Sequence, residues 1–239
     1  MLLSIRPDYD IATRYSQHWL LPVVKEARRI GIEVVDLYGK NANRRNFDYY
    51  SKGAKFIVGT GHGSETTYTG QNKEILLEAG VNERVVSGKD VYLFSCLTGA
   101  GLIPSLYFSG NARQAIGFSE EYTWLAVPPY DPSQDKYGST FGDLAAYIGI
   151  KLLHGKSARD TAMLAKARAD ELISYWKKQD DPAADEVIKW LIHDRDAIVA
   201  YGKSGSVETP YSISVAPKPF VFPPLAAIVA GIGTILMFC

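Results

Sequence analysis

Short apolar runs alternate with segments of helical periodicity through the first half of this chain, and this alternation limits what the chain can fold into. Five runs read as strands: MLLSIR at residues 1–6, IEVVDL at 32–37, FIVG at 56–59, DVYLFS at 90–95 and AIGF at 115–118. Apolar residues recur at helical spacing from residue 10 to residue 30, and Asp10 can cap that helix. We therefore predict an α/β fold, a three-layer sandwich in which helices flank a mostly parallel sheet.

The last third of the sequence is helical by its periodicity. Helices are predicted over residues 140–153, 158–178 and 183–201, so that the region from about 140 to 201 is mainly helical. One α/β domain over residues 1–218 accommodates these elements, because a domain of this length can bury a sizeable core. Residues 219–239 form a separate apolar tail.

The tail carries no charged residue over Phe220–Cys239, and these 20 residues are long enough to span a bilayer as a helix. Pro223 and Pro224 would delay the helix to Leu225. The remainder would then extend about 22 Å through a hydrocarbon core of about 30 Å. Two alternatives stay open, a membrane anchor and a buried terminal element of the domain. We expect the anchor, because two glycines in the segment would weaken a soluble helix.

Cysteine content and charge limit the compartment and the partners. The chain has two cysteines, Cys96 and Cys239, too few for a disulfide framework, and its first residues do not resemble a secretory signal. We therefore expect a cytoplasmic protein, associated with a membrane through residues 220–239. The 26 basic residues balance the 26 acidic ones, so the composition gives no reason to expect a nucleic-acid partner.

Two chemically reactive residues follow two of the predicted strands. His62 comes after the run at 56–59 and lies between glycines, and Cys96 follows the run at 90–95. The carboxyl ends of parallel strands share one edge of a sheet, and ligands bind at that edge. A thiol and an imidazole brought together there form a catalytic dyad. The imidazole takes the thiol proton and later protonates the leaving amine.

The backbone amides of Gly63 and Cys96 are the candidate oxyanion hole of this dyad. A helix that starts directly after Cys96 would further stabilise the thiolate. The alternative is structural, because a single cysteine at a strand end is often a small core residue. The dyad hypothesis requires the sulfur and the imidazole to meet at the sheet edge, and either group packed inside the core, or the two facing apart, would overturn it.

The motifs KFIVGTGHG at residues 55–63 and DVYLFSCLTG at 90–99 resemble those of a clan of cysteine peptidases. The clan comprises caspases, metacaspases, legumains, gingipains, clostripain and separase, with the related CHAT domains. The resemblance covers roughly residues 1–122 and implies a caspase–hemoglobinase fold. It also implies that His62 and Cys96 are catalytic, without an obligatory third residue, and that Gly63 helps to bind the oxyanion.

Clan members build their primary specificity pocket from the end of the first strand, the residue before the cysteine and the loop after the next strand. The matching positions here are Arg6 to Asp8, Ser95, and Ser119 to Glu121. We take as candidate substrate-binding residues Asp8, Ser95, Ser119 and Glu120. Carboxylates at these positions could receive a substrate arginine or lysine, although Arg6 opposes that preference. Solvated loop charges are the alternative for the glutamates.

These residues together predict a cysteine endopeptidase that acts on a peptide or protein substrate and cleaves after basic residues. Two alternatives stay open. One is a catalytically inactive binding or scaffold module of the same fold, and the other is a different thiol acyl-transfer enzyme, such as a transpeptidase or an amidase. No histidine has a second ligand at metal spacing, and no GKS or GKT follows the glycines around His62. We therefore expect neither a metal ion nor a cofactor.

Overall fold

The structure, a computed structural model, describes residues 1–203 and the backbone of residues 235–238. The strands are β1 (Leu2–Arg6), β2 (Val34–Tyr38), β3 (Phe56–Thr60), β4 (Thr67–Thr69), β5 (Ile75–Glu78), β6 (Asp90–Phe94), β7 (Gln114–Phe118), β8 (Thr123–Ala126), β9 (Ile198–Tyr201) and β10 (Ile235–Phe238). The α-helices are α1 (Ile11–Arg29), α2 (Arg44–Tyr50), α3 (Leu102–Phe108), α4 (Lys136–Leu153), α5 (Ala158–Trp176) and α6 (Ala184–Ala197).

Six strands form the central sheet in the order β2-β1-β3-β6-β7-β9. The first five run parallel, and β9 is antiparallel to its neighbour β7. The predicted α/β class, with a mostly parallel sheet flanked by helices, is thereby confirmed. The carboxyl ends of β1, β3, β6 and β7 are neighbours along one edge of this sheet.

Helices cover both faces of the sheet because its central strands are buried on both sides. Every residue of β1, β3 and β6 is buried. On one face, α1, α4, α5 and α6 contribute to the larger core cluster, which contains Trp19, Phe94 and Trp124. On the other face, Phe47 of α2 and Leu102 of α3 pack in a smaller cluster. Because side chains alternate along a strand, successive residues of β6 face different helical layers.

The helical third of the chain differs from its prediction at both ends. α4 begins at Lys136, where the Asp135 carboxylate accepts hydrogen bonds from the backbone N–H groups of the first turn. α6 ends at Ala197, so the helix predicted to reach residue 201 is wrong for its last four residues. Ile198–Tyr201 instead form β9 on the open edge of β7. The β-branched and aromatic side chains of IVAY favour a strand, whereas the spacing of its apolar residues continues the helical pattern. The unpaired edge of β7 decides for the strand.

Most of the predicted apolar tail lies outside the described residues. The part that is described, Ile235–Phe238, forms β10 and pairs antiparallel with Thr123–Ala126 of β8. Within the described parts of the chain, no helix has both the length and the apolar character that a membrane crossing requires. The pairing of β10 with β8 fits the alternative in which the end of the tail packs on the domain. Attachment to a membrane stays a prediction.

Candidate active site

His62 and Cys96 occupy equivalent places beyond two neighbouring strands. β3 and β6 pair in parallel, with Phe56 opposite Asp90 and Thr60 opposite Phe94, a constant offset of 34 residues. Continued for two more residues, the same offset sets His62 opposite Cys96. The predicted adjacency of these two strand ends is confirmed by the register.

The backbones after β3 and β6 touch at Gly63. A Cβ atom built on Gly63 would collide with the Ser95 hydroxyl and would lie only 2.8 Å from the Cys96 carbonyl oxygen. A residue with a side chain would therefore force the two segments apart. Glycine at this position lets the His62 backbone approach the Cys96 backbone.

The hydrogen bonds around Gly63 fix the direction of its backbone N–H. Gly63 and Tyr68 form an isolated antiparallel bridge. The hydrogen bonds that flank it run from Ser64 N–H to the Thr67 carbonyl at 2.9 Å and from Thr69 N–H to the His62 carbonyl at 3.0 Å. Gly63 is thus a non-hydrogen-bonded member of the ladder, and its own N–H points away from β4. Among the described residues this N–H has no acceptor, as the predicted oxyanion role requires.

Asp10 holds the imidazole of His62. The distance from His62 Nε2 to Asp10 Oδ2 is 2.7 Å, and the His62 side chain is 25% exposed. Asp10 also caps α1, since its Oδ1 accepts from the Thr13 N–H at 2.7 Å. Burial opposes ionisation of Asp10, but hydrogen bonds from His62 and Thr13 prevail and lower the pKa of its carboxyl to about 2. An ionised carboxylate therefore faces one ring nitrogen of His62.

The sequence indicates only a capping role for Asp10, and nothing in the local pattern predicts its contact with His62. One signal was present, because Asp10 follows the first strand and so belongs to the same carboxyl edge as His62. Its local pattern, a carboxylate before a helix, is fully explained by capping. The contact with His62 spans 52 positions and becomes visible only in the folded chain.

The helix capped by Asp10 packs on the same face of the sheet as Cys96. Asp10 begins α1, and α1 packs into the larger core cluster through Tyr15 and Trp19. Cys96 belongs to that cluster. A shared face is a condition for the dyad, because two groups on opposite faces could not exchange a proton.

Cys96 is buried, whereas a nucleophile at the edge of the sheet is expected to be accessible to substrate. Its residue is 2% exposed, and it packs with the aromatic core. Core packing of Cys96 is the outcome that the dyad hypothesis excluded, and this burial counts against direct attack on a substrate in the conformation described. A peptide could reach the sulfur only if neighbouring groups moved, so the accessibility of Cys96 becomes the first property to measure.

The helix predicted to start directly after Cys96 is absent at that point, so this prediction is wrong. Leu97 adopts a left-handed conformation with φ of 60°, a short 3₁₀ turn follows, and α3 begins at Leu102. The helix predicted to start directly after Cys96 is therefore replaced by a left-handed residue and a short turn. The loop is instead fixed from the next strand, since the Leu97 N–H donates to the Glu120 carbonyl at 3.2 Å.

The candidate substrate-binding residues fall into three situations. Glu120 is exposed and lies beside the cysteine loop, while Ser119 is half-buried and its hydroxyl donates to the Ala197 carbonyl at 3.3 Å. Ser95 is fully buried against Gly63, so it presents no surface to solvent. Asp8 accepts a 2.7 Å hydrogen bond from the Tyr38 hydroxyl at the end of β2, which draws it away from the cysteine side.

Arg6 is not available to oppose a basic substrate. Its guanidinium forms two hydrogen bonds with the Asp36 carboxylate, at 2.9 and 2.7 Å, and a third with the Gln17 side chain at 2.7 Å. Only 6% of the residue is exposed. The charge of Arg6 is therefore neutralised inside the domain. Glu120 is an exposed carboxylate on the loop beside Cys96, and its own backbone carbonyl accepts from the Leu97 N–H.

No protein-family model matches this chain, and no curated protein is similar enough to count as a match. The function of the chain therefore has to be inferred from its own residues and their geometry.

Proposed function

We propose that this protein is a cysteine peptidase in which Cys96 is the nucleophile, His62 is the general acid–base and Asp10 orients His62. One observation carries the proposal: β3 and β6 are parallel neighbours whose register ends with Thr60 opposite Phe94, and the same offset continued for two residues would bring His62 opposite Cys96 at the edge where α/β proteins bind ligands. The 2.7 Å contact between His62 and Asp10 supports it, because a base held by a third group is typical of nucleophilic catalysis.

The reaction that fits these groups begins with transfer of the Cys96 proton to His62. The thiolate then attacks the substrate carbonyl carbon, and a C–S bond forms while the carbonyl oxygen takes up negative charge. The Gly63 and Cys96 amides would donate hydrogen bonds to that oxygen. His62 protonates the leaving amine as the C–N bond breaks. Water, deprotonated by His62, then attacks the thioester and releases the acid and the thiolate.

Preference for a basic side chain is part of the proposal. Glu120 supports it, because this exposed carboxylate lies on the loop whose backbone holds the residue after Cys96. A substrate arginine bound there would gain a charge-assisted hydrogen bond. The ion pair of Arg6 with Asp36 removes the cation that would have repelled such a substrate.

Turnover of a fluorogenic peptide panel, with arginine, lysine, aspartate or leucine before the scissile bond, tests the proposal. We expect hydrolysis of the basic peptides by the wild-type protein, and its loss in Cys96→Ala. The matched control is Cys239→Ser, which removes the other thiol of the chain. Transfer of the acyl group to an added amine, without hydrolysis, would favour the transpeptidase alternative instead.

A second candidate, an inactive binding module, is favoured by the 2% exposure of Cys96. Alkylation of the folded protein by iodoacetamide separates the two functions. If Cys96 is a nucleophile that local opening exposes, iodoacetamide will alkylate it faster than the protein unfolds globally. If Cys96 reacts only as fast as the protein unfolds globally, the sulfur is a core group and the peptidase proposal is wrong.

We further propose a cytoplasmic location, with membrane attachment through residues 220–239 as the feature to be tested. Cells that produce the chain with and without residues 219–239 would be fractionated. Recovery of the full chain with membranes, and of the truncated chain in the soluble fraction, supports attachment. The pairing of β10 with β8 favours the opposite result, in which both forms stay soluble.

A further inference from the structure

The strand β8 lies outside the central sheet and pairs with a segment that is distant in sequence. Residues 119–122 lead from β7 into β8, but β8 does not join the six-stranded sheet. Among the described residues its strand neighbour is β10, which runs antiparallel to it. Ile235 lies opposite Ala126, and Phe238 lies opposite Thr123.

Both faces of β8 are covered by the domain. Its four residues are buried, with no more than 1% of any of them exposed. Successive side chains of a strand point to opposite faces, and yet Trp124 and Leu125 both belong to the larger core cluster. The helices α4 and α6 both contact the strand. What β8 offers to another segment is therefore its backbone edge, in apolar surroundings.

Contacts that do not involve β10 hold β8 at both of its ends. At its start, the Thr123 N–H donates to the Asp194 carboxyl at 2.9 Å. Directly after its last residue, the Val127 N–H donates to the Asp135 carboxyl at 3.0 Å. Both carboxyl groups belong to buried residues. The strand is thus fixed in an extended form by the domain itself, and an extended backbone edge is a template for an added strand.

We propose that the edge of β8 is a docking site for an extended, uncharged and apolar protein segment, and that β10 fills this site in cis. The occupant must be apolar because it enters the surroundings of a core strand, and β10 has the sequence ILMF. Its pairing spans four residues, and a two-stranded ribbon of that length is only marginally stable by itself. A competing segment supplied in trans can therefore displace it. The inference goes beyond the proposed peptidase activity and does not depend on it.

Binding of a peptide in trans to the full chain tests the proposal. The probe is a dye-labelled peptide of residues 233–238, with two added lysines for solubility, and its fluorescence anisotropy measures binding. Leu236→Pro removes a backbone N–H from β10 and disfavours its pairing. Ile228→Pro is the matched control, because it places a proline in the same apolar tail but outside β10.

We expect Leu236→Pro to bind the peptide at least about 10-fold more tightly than the wild type, because a tethered β10 competes at a high effective concentration. Ile228→Pro should bind like the wild type. The same peptide with proline in place of its leucine should not bind, since strand pairing needs the backbone N–H. Equal affinity of the wild type and Leu236→Pro would overturn the proposal, and so would equal binding of the two peptides.

Amide hydrogen exchange of the wild-type chain gives a second measurement that holds even if Leu236→Pro does not fold. An excess of the peptide should speed exchange at residues 235–238 while residues 124–126 stay protected, because one strand replaces another on β8. Unchanged exchange at residues 235–238 in the presence of the excess peptide would overturn the proposal. Neither measurement requires catalysis. Displacement of β10 without peptide cleavage would leave the peptidase proposal to fail alone, and cleavage without displacement would leave the docking site to fail alone.

Discussion

His62 Nε2 lies 2.7 Å from Oδ2 of Asp10, the residue that caps α1, a 19-residue helix packed into the larger core cluster. One carboxylate thus serves two purposes. Its Oδ1 caps α1, and its Oδ2 fixes the orientation of the imidazole. The start of α1 therefore positions the carboxylate that contacts His62, and the neighbouring strands β3 and β6 lead to the two residues of the proposed dyad.

The first prediction separates these two purposes. Asparagine is as good an N-cap as aspartate, so Asp10→Asn should keep α1 intact. It removes the negative charge that orients His62, and we expect kcat to fall by about 10²–10⁴-fold. Initial-rate assays on the best basic peptide would measure kcat, and circular dichroism would measure the helix content.

The matched control is Asn43→Asp, a reverse exchange at the cap of α2, where Asn43 Oδ1 accepts from the Asn46 N–H at 2.9 Å. It changes the charge of a helix cap without touching the dyad and should leave kcat unchanged. An unaltered kcat in Asp10→Asn would show that Asp10 is a cap and nothing more.

The second prediction concerns stability at low pH. The pKa of Asp10 is lowered in the folded protein from 3.8 to about 2, by the hydrogen bonds from His62 and Thr13 that outweigh burial. Because the folded value lies below the unfolded one, the carboxylate contributes stability above about pH 4, and that contribution disappears as the pH falls towards 2. Urea unfolding of wild type and Asp10→Asn should therefore differ at pH 6 and converge near pH 2. A difference that persists at pH 2 contradicts this linkage.

The third prediction tests the close approach at Gly63. A methyl group there would meet the Ser95 hydroxyl and the Cys96 carbonyl oxygen. We expect Gly63→Ala to lower the free energy of unfolding by about 1–3 kcal/mol, since overpacking displaces neighbouring backbone. Peptidase activity should fall more than stability explains, by at least about 10²-fold, because the oxyanion donor moves.

Two further variants make that result specific. Ser95→Ala, added to Gly63→Ala, removes one of the colliding atoms and should restore part of the stability. Gly53→Ala is the matched control, because its added methyl would meet only the Met1 side chain at 3.6 Å, an ordinary contact. It should change the free energy of unfolding by less than about 0.5 kcal/mol. Equal losses in Gly53→Ala and Gly63→Ala would remove the case for a close approach.

The fourth prediction concerns substrate preference. Glu120→Gln should lower kcat/KM for arginine peptides about two- to fivefold, the amount expected for one exposed ion pair, and should leave leucine peptides unaffected. Raised salt should weaken the preference of the wild type in the same direction. Asp185→Asn removes an equal charge at an exposed site on α6 and serves as the control. Equal losses for arginine and leucine peptides would rule out a charge-based preference at Glu120.

Much of the sheet could be predicted from the sequence because its strands are local signals. β1, β3 and β6 are mainly apolar runs whose residues are all buried, and such runs are typical of strands covered on both faces. Their alternation with helices implied parallel pairing, and parallel pairing implied that His62 and Cys96 end on one edge. This inference needed no long-range information beyond the handedness of the crossovers.

Other features depended on partners far along the chain. Ile198–Tyr201 became a strand because the edge of β7 was open to it, and the spacing within this segment cannot reveal that edge. The short hairpin of β4 and β5 lay in a segment whose polar composition indicated only turns. In both segments local propensity was weak, and the available pairing partner decided the outcome.

The sequence by itself determined the fold class and the two neighbouring strands, β3 and β6, that His62 and Cys96 follow, because periodicity and strand order are properties of neighbouring residues. Only the tertiary structure decided that Asp10 reaches His62, that Cys96 is covered, and that Asp194 is buried. These relationships join residues that are far apart in the chain. Burial and hydrogen bonding at such sites depend on how whole helices pack against the sheet, which no local pattern specifies.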